Sequence, residues 1–273
     1  MMRFNLTMVA AFGVAVSTLS GKAPESAHRK SAVAQHKHWG YEDGAHSIGP
    51  AKWGTLAGNA RCSNGKLQAP INLSASGATQ KDVPNLLFDY KPSSLSMINN
   101  GHTVQMTYAP GSRLGRVGGK DTWTLAQFHF HAPSEHTVDG ASYPLELHLV
   151  HLDAAGQPAV VVGVFIREGV ENAALARAFR SLPAKEGETI VPHGERVDAW
   201  ALLPADKTFF TYAGSLTTPP CTEGITWYVL RTPIEMSPAQ IAAYTKLEHL
   251  GHTNRPLQSL GGRVVRVDST PGT

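Results

Sequence analysis

The sequence has little charge and almost no cysteine. Only 16% of its 273 residues are Asp, Glu, Lys or Arg, against about 25% in a typical soluble domain, while 42% are hydrophobic. That balance excludes an intrinsically disordered chain. There is no basic excess either. The formal charge is +3, and Arg3 and Lys22 stand in a first segment with no acid, so the remainder is close to neutral and offers no field for nucleic acid. Beyond that segment no run approaches the roughly 18 apolar residues of a membrane span. The two cysteines, Cys62 and Cys221, lie far apart with no Cys-x-x-Cys spacing, which excludes a redox pair or a thiolate metal site. The 26 Gly and 18 Pro follow no period, which excludes collagen-like repetition and favours a turn-rich β fold.

What is present begins with an address. Arg3 precedes the short apolar run from Met8 to Val16 and then small residues, the layout of a secretory signal. Residues 1–23 are therefore expected to be a signal peptide, with cleavage after Ser17 or Ala23, and 24–37 a polar, flexible leader. Export to an oxidising compartment, periplasmic or extracellular, makes one Cys62–Cys221 disulfide the simplest reading, two buried thiols being the alternative. No later linker or repeat divides the chain, so residues 38–270 are expected to form one domain.

Strand signals dominate that domain. Residues 104–108, 125–131, 145–151, 159–167 and 225–232 are β-branched or aromatic runs bounded by Gly, Pro or Asp. Two short helices are expected at the periphery. Ser237, Pro238 and Gln240 supply an N-cap, an N1 proline and a capping-box partner for a helix running towards Leu247. Leu175 and Phe179, four apart, mark a second over 172–180.

The histidines carry the chemistry. Strand alternation puts Gln127, His129 and His131 on one face, with Ala126, Phe128 and Phe130 on the other. In the next strand Glu146, His148 and Val150 share a face, opposite the leucines. If the two strands are neighbours, His148 completes a site of three imidazoles. Three neutral His ligands leave a fourth tetrahedral position open, the composition of a catalytic zinc site. Gln127 and Glu146, in phase with their histidines, are placed to accept the other ring N–H and fix each tautomer.

These residues, with Asn99-Asn100-Gly101-His102, Ser134-Glu135-His136-Thr137-Val138-Asp139 and Gly214-Ser215-Leu216-Thr217-Thr218-Pro219-Pro220, resemble the α-class carbonic anhydrases. The likeness runs from Trp39-Gly40-Tyr41 to Asn254-Arg255-Pro256, and the leader and cysteine pair look like the exported bacterial branch. The resemblance implies a single domain around a twisted, mostly antiparallel sheet of about ten strands. It implies reversible hydration of carbon dioxide to bicarbonate and a proton, by attack of a zinc-bound hydroxide, with Zn²⁺ held by His129, His131 and His148. It makes Thr217 and Glu135 the pair that orients the nucleophile. A carboxylate only accepts, so Glu135 turns the Thr217 proton towards itself and leaves a lone pair facing the metal. Val150, Val161, Leu216, Thr218, Ile225 and Trp227 would line the substrate pocket, apolar because carbon dioxide is uncharged. His102 would shuttle the proton, an imidazole titrating near neutrality. Tyr41, Asn100 and Gln105 would order the intervening water, although members commonly carry Asn where this chain has Gln105.

His136 and His151 fall out of phase with the trio and are read as structural, and His28, His36 and His38 as part of a solvated tail. Ester hydrolysis is a secondary activity of such a site. A non-catalytic binding module is disfavoured because all three histidines are present, and metal buffering by the leader is separable by truncation. A homodimer is left open, and small molecules are the expected partners.

Overall fold

The apolar run from Val160 to Ile166 puts apolar side chains on both sides of its strand and demands a sheet covered on both faces, and that is what forms. The structure is a computed structural model describing residues 37–80, 83–268 and 270. The expected signal peptide and nearly all of the leader, with His28 and His36, lie outside the described residues.

Twelve strands make the main sheet: β1 Thr79–Gln80, β2 Leu86–Asp89, β3 Met97–Asn99, β4 Val104–Thr107, β5 Arg113–Arg116, β6 Thr122–His131, β7 Leu145–Leu152, β8 Pro158–Glu168, β9 Thr189–Ile190, β10 Phe209–Ser215, β11 Glu223–Met236 and β12 Arg266–Val267. The spatial order is β9-β3-β4-β6-β7-β8-β11-β10-β12-β1, with β5 pairing β6 and β2. The pairing is antiparallel except at β8–β11 and β12–β1. All five expected strands exist, several of them longer than their sequence signals. Of the seven strands of this sheet that were not expected, β10 is the longest. Its aromatic run, Phe209-Phe210-Thr211-Tyr212, is a readable signal, but Phe209 buries on one face and Phe210 on the other, so no alternation marks it.

Two apolar layers clothe the sheet. Phe128, Phe130, Leu145, Leu147 and Leu149 belong to one, and Val150, Val161, Phe165, Ile225, Trp227 and Val229 to the other. Full burial of each such side chain is worth about 1.5–3 kcal/mol.

The helices are few and short. α1 is Arg61–Asn64 and α2 is Pro238–Thr245, preceded by the expected capping box between Ser237 and Gln240. α2 stops two residues short of Leu247, whose N–H bonds Tyr244 O in a tighter turn. The expected 172–180 helix is instead a run of turns ending in the single 3₁₀ turn Ala178–Arg180. The Asn172 carbonyl accepts both the Gln240 side chain at 2.9 Å and the Leu175 N–H at 3.2 Å, the i→i+3 bond of a turn in place of a helical i→i+4 one. The buried stripe survives, since Leu175 and Phe179 still pack into the core.

Candidate active site

Register decides the site. β6 and β7 pair so that His129 faces His148, His131 faces Glu146 and Gln127 faces Val150. On the other flank of β6, Gln105 of β4 lies opposite His129. The three imidazoles gather with ring centroids 4.6–5.4 Å apart, and one nitrogen from each lies within 4.8 Å of the other two.

Each ring is held by an oxygen on its far side. His129 Nδ1 donates to Gln127 Oε1 at 2.8 Å, His131 Nδ1 to the Thr253 carbonyl at 2.6 Å, and His148 Nε2 to Glu146 Oε1 at 2.9 Å. Carbonyl and carboxylate oxygens only accept, so these three nitrogens carry the protons. The inward nitrogens, Nε2 of His129 and His131 and Nδ1 of His148, therefore present lone pairs. Burial lowers the pKa of all three rings, His131 to about 4, and so keeps them neutral. His131 Nε2 is buried without a hydrogen-bond partner. Three converging lone pairs with no donor between them repel one another, and a divalent cation is what such a donor set fits. The Thr253 carbonyl was not legible in the sequence, because it comes from a loop about 120 residues away.

Glu135 closes the site from the side. It is 1% exposed, and its Oε1 accepts the Arg255 backbone N–H at 2.8 Å. Its Oε2 lies 3.6 Å from His131 Nε2 and 3.9 Å from His148 Nδ1. Burial raises its pKa to about 7, against the pull of His148, the Arg255 N–H and the Thr217 hydroxyl. Thr217 is thus beside the carboxylate, although Oε2 lacks a hydrogen bond of good geometry. Tyr41 is close enough to Glu135 to feel its charge, and burial with that charge raises the phenol well above its ordinary range.

The remaining expected residues divide. Val150, Val161, Ile225 and Trp227 form one buried cluster with Leu216 packed against it, and the Trp227 ring lies 4.8 Å from that of His148. Thr218 lies in the same loop, half-buried, its carbonyl accepting the Cys221 N–H. Cys62 and Cys221 are disulfide-bonded. The Asn100 side-chain oxygen accepts the N–H groups of His102 and Thr103 and so shapes the turn, where Gly101 takes φ +81°. His102 departs from expectation. Its ring stacks on Trp39 with centroids 3.5 Å apart, and burial, aided by His38, lowers its pKa to about 4, away from the neutrality expected of it.

A family profile for eukaryotic-type carbonic anhydrase matches residues 48–269. The chain belongs to the α-carbonic anhydrases. Among its relatives are a carbonic anhydrase of a Nostoc species, 43% identical over 240 residues covering 86% of this chain and 87% of the relative. One of Neisseria gonorrhoeae is 40% identical, with 88% and 92% covered. The solved α-carbonic anhydrase of Thermovibrio ammonificans, in complex with the inhibitor sulfanilamide, superposes with a TM-score of 0.78 at 39% identity, covering 85% of this chain and 99% of that one. Among the described residues no helix is long and apolar enough to cross a membrane.

Proposed function

We propose that this carbonic anhydrase interconverts carbon dioxide and bicarbonate at a zinc ion held by His129, His131 and His148. The observation that carries the reading is the convergence of three neutral ring nitrogens whose opposite N–H groups are all committed to oxygen acceptors. Bound there, zinc supplies the positive charge that makes hydroxide available at neutral pH, an effect for which carbonic anhydrases are themselves the reference case.

The chain's own residues do the rest. Arg255 N–H holds Glu135 Oε1, which leaves Oε2 as the acceptor for the Thr217 proton. With that proton turned away, Thr217 offers only a lone pair towards the metal, so it accepts from a nucleophile that carries hydrogen and repels an anion that does not. Val150, Val161, Leu216, Ile225 and Trp227 give an uncharged substrate an apolar wall and keep water from competing for it. His102 carries the product proton outward, after its ring leaves Trp39 and regains water, because the stacked ring is too weakly basic for the task. Tyr41 and Gln105, beside Glu135 and His129 respectively, are placed to order water between the metal and that ring. The disulfide and the leader support function in the periplasm or outside the cell.

Stopped-flow hydration of carbon dioxide, with zinc measured in parallel, tests the reading. One zinc per chain, activity lost on chelation and regained on adding zinc back are expected. Full hydration activity in the metal-free protein would overturn it.

A further inference from the structure

A second group of metal-ligand type lies beside the trio: His136, Glu146 and His148, with atoms within 4.8 Å of one another. Its hydrogen bonds give it a different use. Glu146 Oε1 accepts from His148 Nε2 at 2.9 Å and from His136 Nδ1 at 2.7 Å, and Oε2 accepts the His136 backbone N–H at 2.8 Å. On its far side, His136 Nε2 meets the Tyr212 hydroxyl at 2.6 Å. All four side chains are almost wholly buried. Every facing nitrogen is already satisfied, so protons hold this group together and no second ion is needed.

The order of those protons follows from one chemical fact. A carboxylate donates nothing, so His136 Nδ1 and His148 Nε2 must both carry hydrogen. A neutral His136 then has a bare Nε2, and Tyr212 must be the donor to it. Without that donor the ring has two alternatives. Its lone pair stays buried and unpaired, or the ring turns to find another partner and gives up its hold on Glu146. The second alternative frees the carboxylate whose fixed position holds His148.

We propose that Tyr212 is a positioning residue for the metal site, its O–H fixing His136 in the tautomer that leaves Glu146 fully available to His148. The packing around it is consistent with a fixed role. The Tyr212 ring lies parallel to Trp227, and a Cβ at Gly214 would come within 2.8 Å of Trp227 and 2.9 Å of Tyr212, so the glycine makes the close approach possible. Opposite, a Cβ at Gly163 would lie 3.1 Å from Glu146 Oε1, so β8 leaves room for the carboxylate. This inference rests on the zinc reading above and goes beyond it to a residue that touches neither metal nor substrate.

The test is zinc affinity, by competition with dipicolinate, for the wild type, Tyr212→Phe, His136→Phe and the double variant, each apoprotein first shown folded by near-ultraviolet circular dichroism. Tyr212→Phe should weaken zinc binding about 10-fold in the wild-type background and less than about 2-fold when His136 is already Phe, the pattern of a residue acting through another. Wild-type affinity in Tyr212→Phe overturns the proposal, and so does an equal loss in both backgrounds, which is the mark of a merely structural role. A wild-type chain that takes up no zinc overturns the zinc site and this inference with it, a distinct result from zinc bound equally by both. If a variant fails to fold, nitrogen-15 spectra of the wild-type protein decide. His136 should show a protonated Nδ1 and a bare Nε2, and a protonated Nε2 overturns the proposal.

Discussion

Removing the Cys62–Cys221 bond should cost both stability and turnover, for reasons that can be separated. The cysteines are 159 positions apart. By the chain-entropy model, releasing so long a loop in the unfolded state costs about 5 kcal/mol at most. At roughly 2–4 °C per kcal/mol for a domain of this size, the thermal midpoint should fall by several degrees, up to about 10–20 °C. The local consequence is catalytic. The Cys221 N–H bonds the Thr218 carbonyl at 2.8 Å, and Cys221 itself is held at φ +56°, a left-handed conformation costly to a residue with a Cβ. The Arg255 guanidinium donates to the Cys62 carbonyl at 3.0 Å, while its own backbone N–H holds Glu135. Both halves of the Thr217–Glu135 pair are thus tied to the same cross-link. In Cys62→Ala/Cys221→Ala, Cys221's position is free to relax and to take the Thr217 loop with it. The assay is differential scanning calorimetry beside stopped-flow hydration, with a thiol titration on the reduced wild type as the matching control. A midpoint moved by less than about 2 °C once the bond is verified absent would refute the stability argument. Unchanged turnover at a temperature where the variant is folded would refute the mechanical one.

Four other outcomes follow from the geometry. His148→Ala should lower zinc from one per chain to nearly none and abolish hydration with far-ultraviolet circular dichroism unchanged; zinc retained at full occupancy would remove the assignment. Burial lowers the His151 pKa to about 3, while its unfolded value is about 6.5. The unfolded state therefore binds the extra proton, and stability should fall as pH drops through that window, by about 3 kcal/mol between pH 6.5 and 4. His151→Phe should remove that slope from urea-unfolding curves, at the cost of the Tyr90 hydrogen bond, and an unaltered slope contradicts the assignment. Trp39→Ala should expose the His102 ring and raise its pKa from about 4 towards 6.5 in a proton-NMR titration. His102→Ala should slow turnover mainly in weak buffer and recover with added imidazole; an equal loss at all buffer strengths speaks against a shuttle.

Much of the site was legible before any coordinates, because a strand's period of two is rigid. Once residues 125–131 and 145–151 are strands, Gln127, His129 and His131 must share a face, as must Glu146, His148 and Val150, and the buried sides must be Phe128, Phe130 and the leucines. The face each histidine takes follows from that alone; the trio also needed the two strands to pair in register, and the family motifs supplied the roles of Glu135 and Thr217. The capping box at Ser237 was equally local and equally readable. Tertiary structure decided what depends on which distant backbone arrives where. The Thr253 carbonyl behind His131, the Arg255 N–H on Glu135, the Tyr212 hydroxyl behind His136 and the stacking of His102 on Trp39 each join segments remote in sequence. β10 needed its neighbours to be recognised, and the 172–180 segment formed turns around the buried stripe that its sequence announced. A local pattern states which side a residue faces; only the closed sheet states what meets it there.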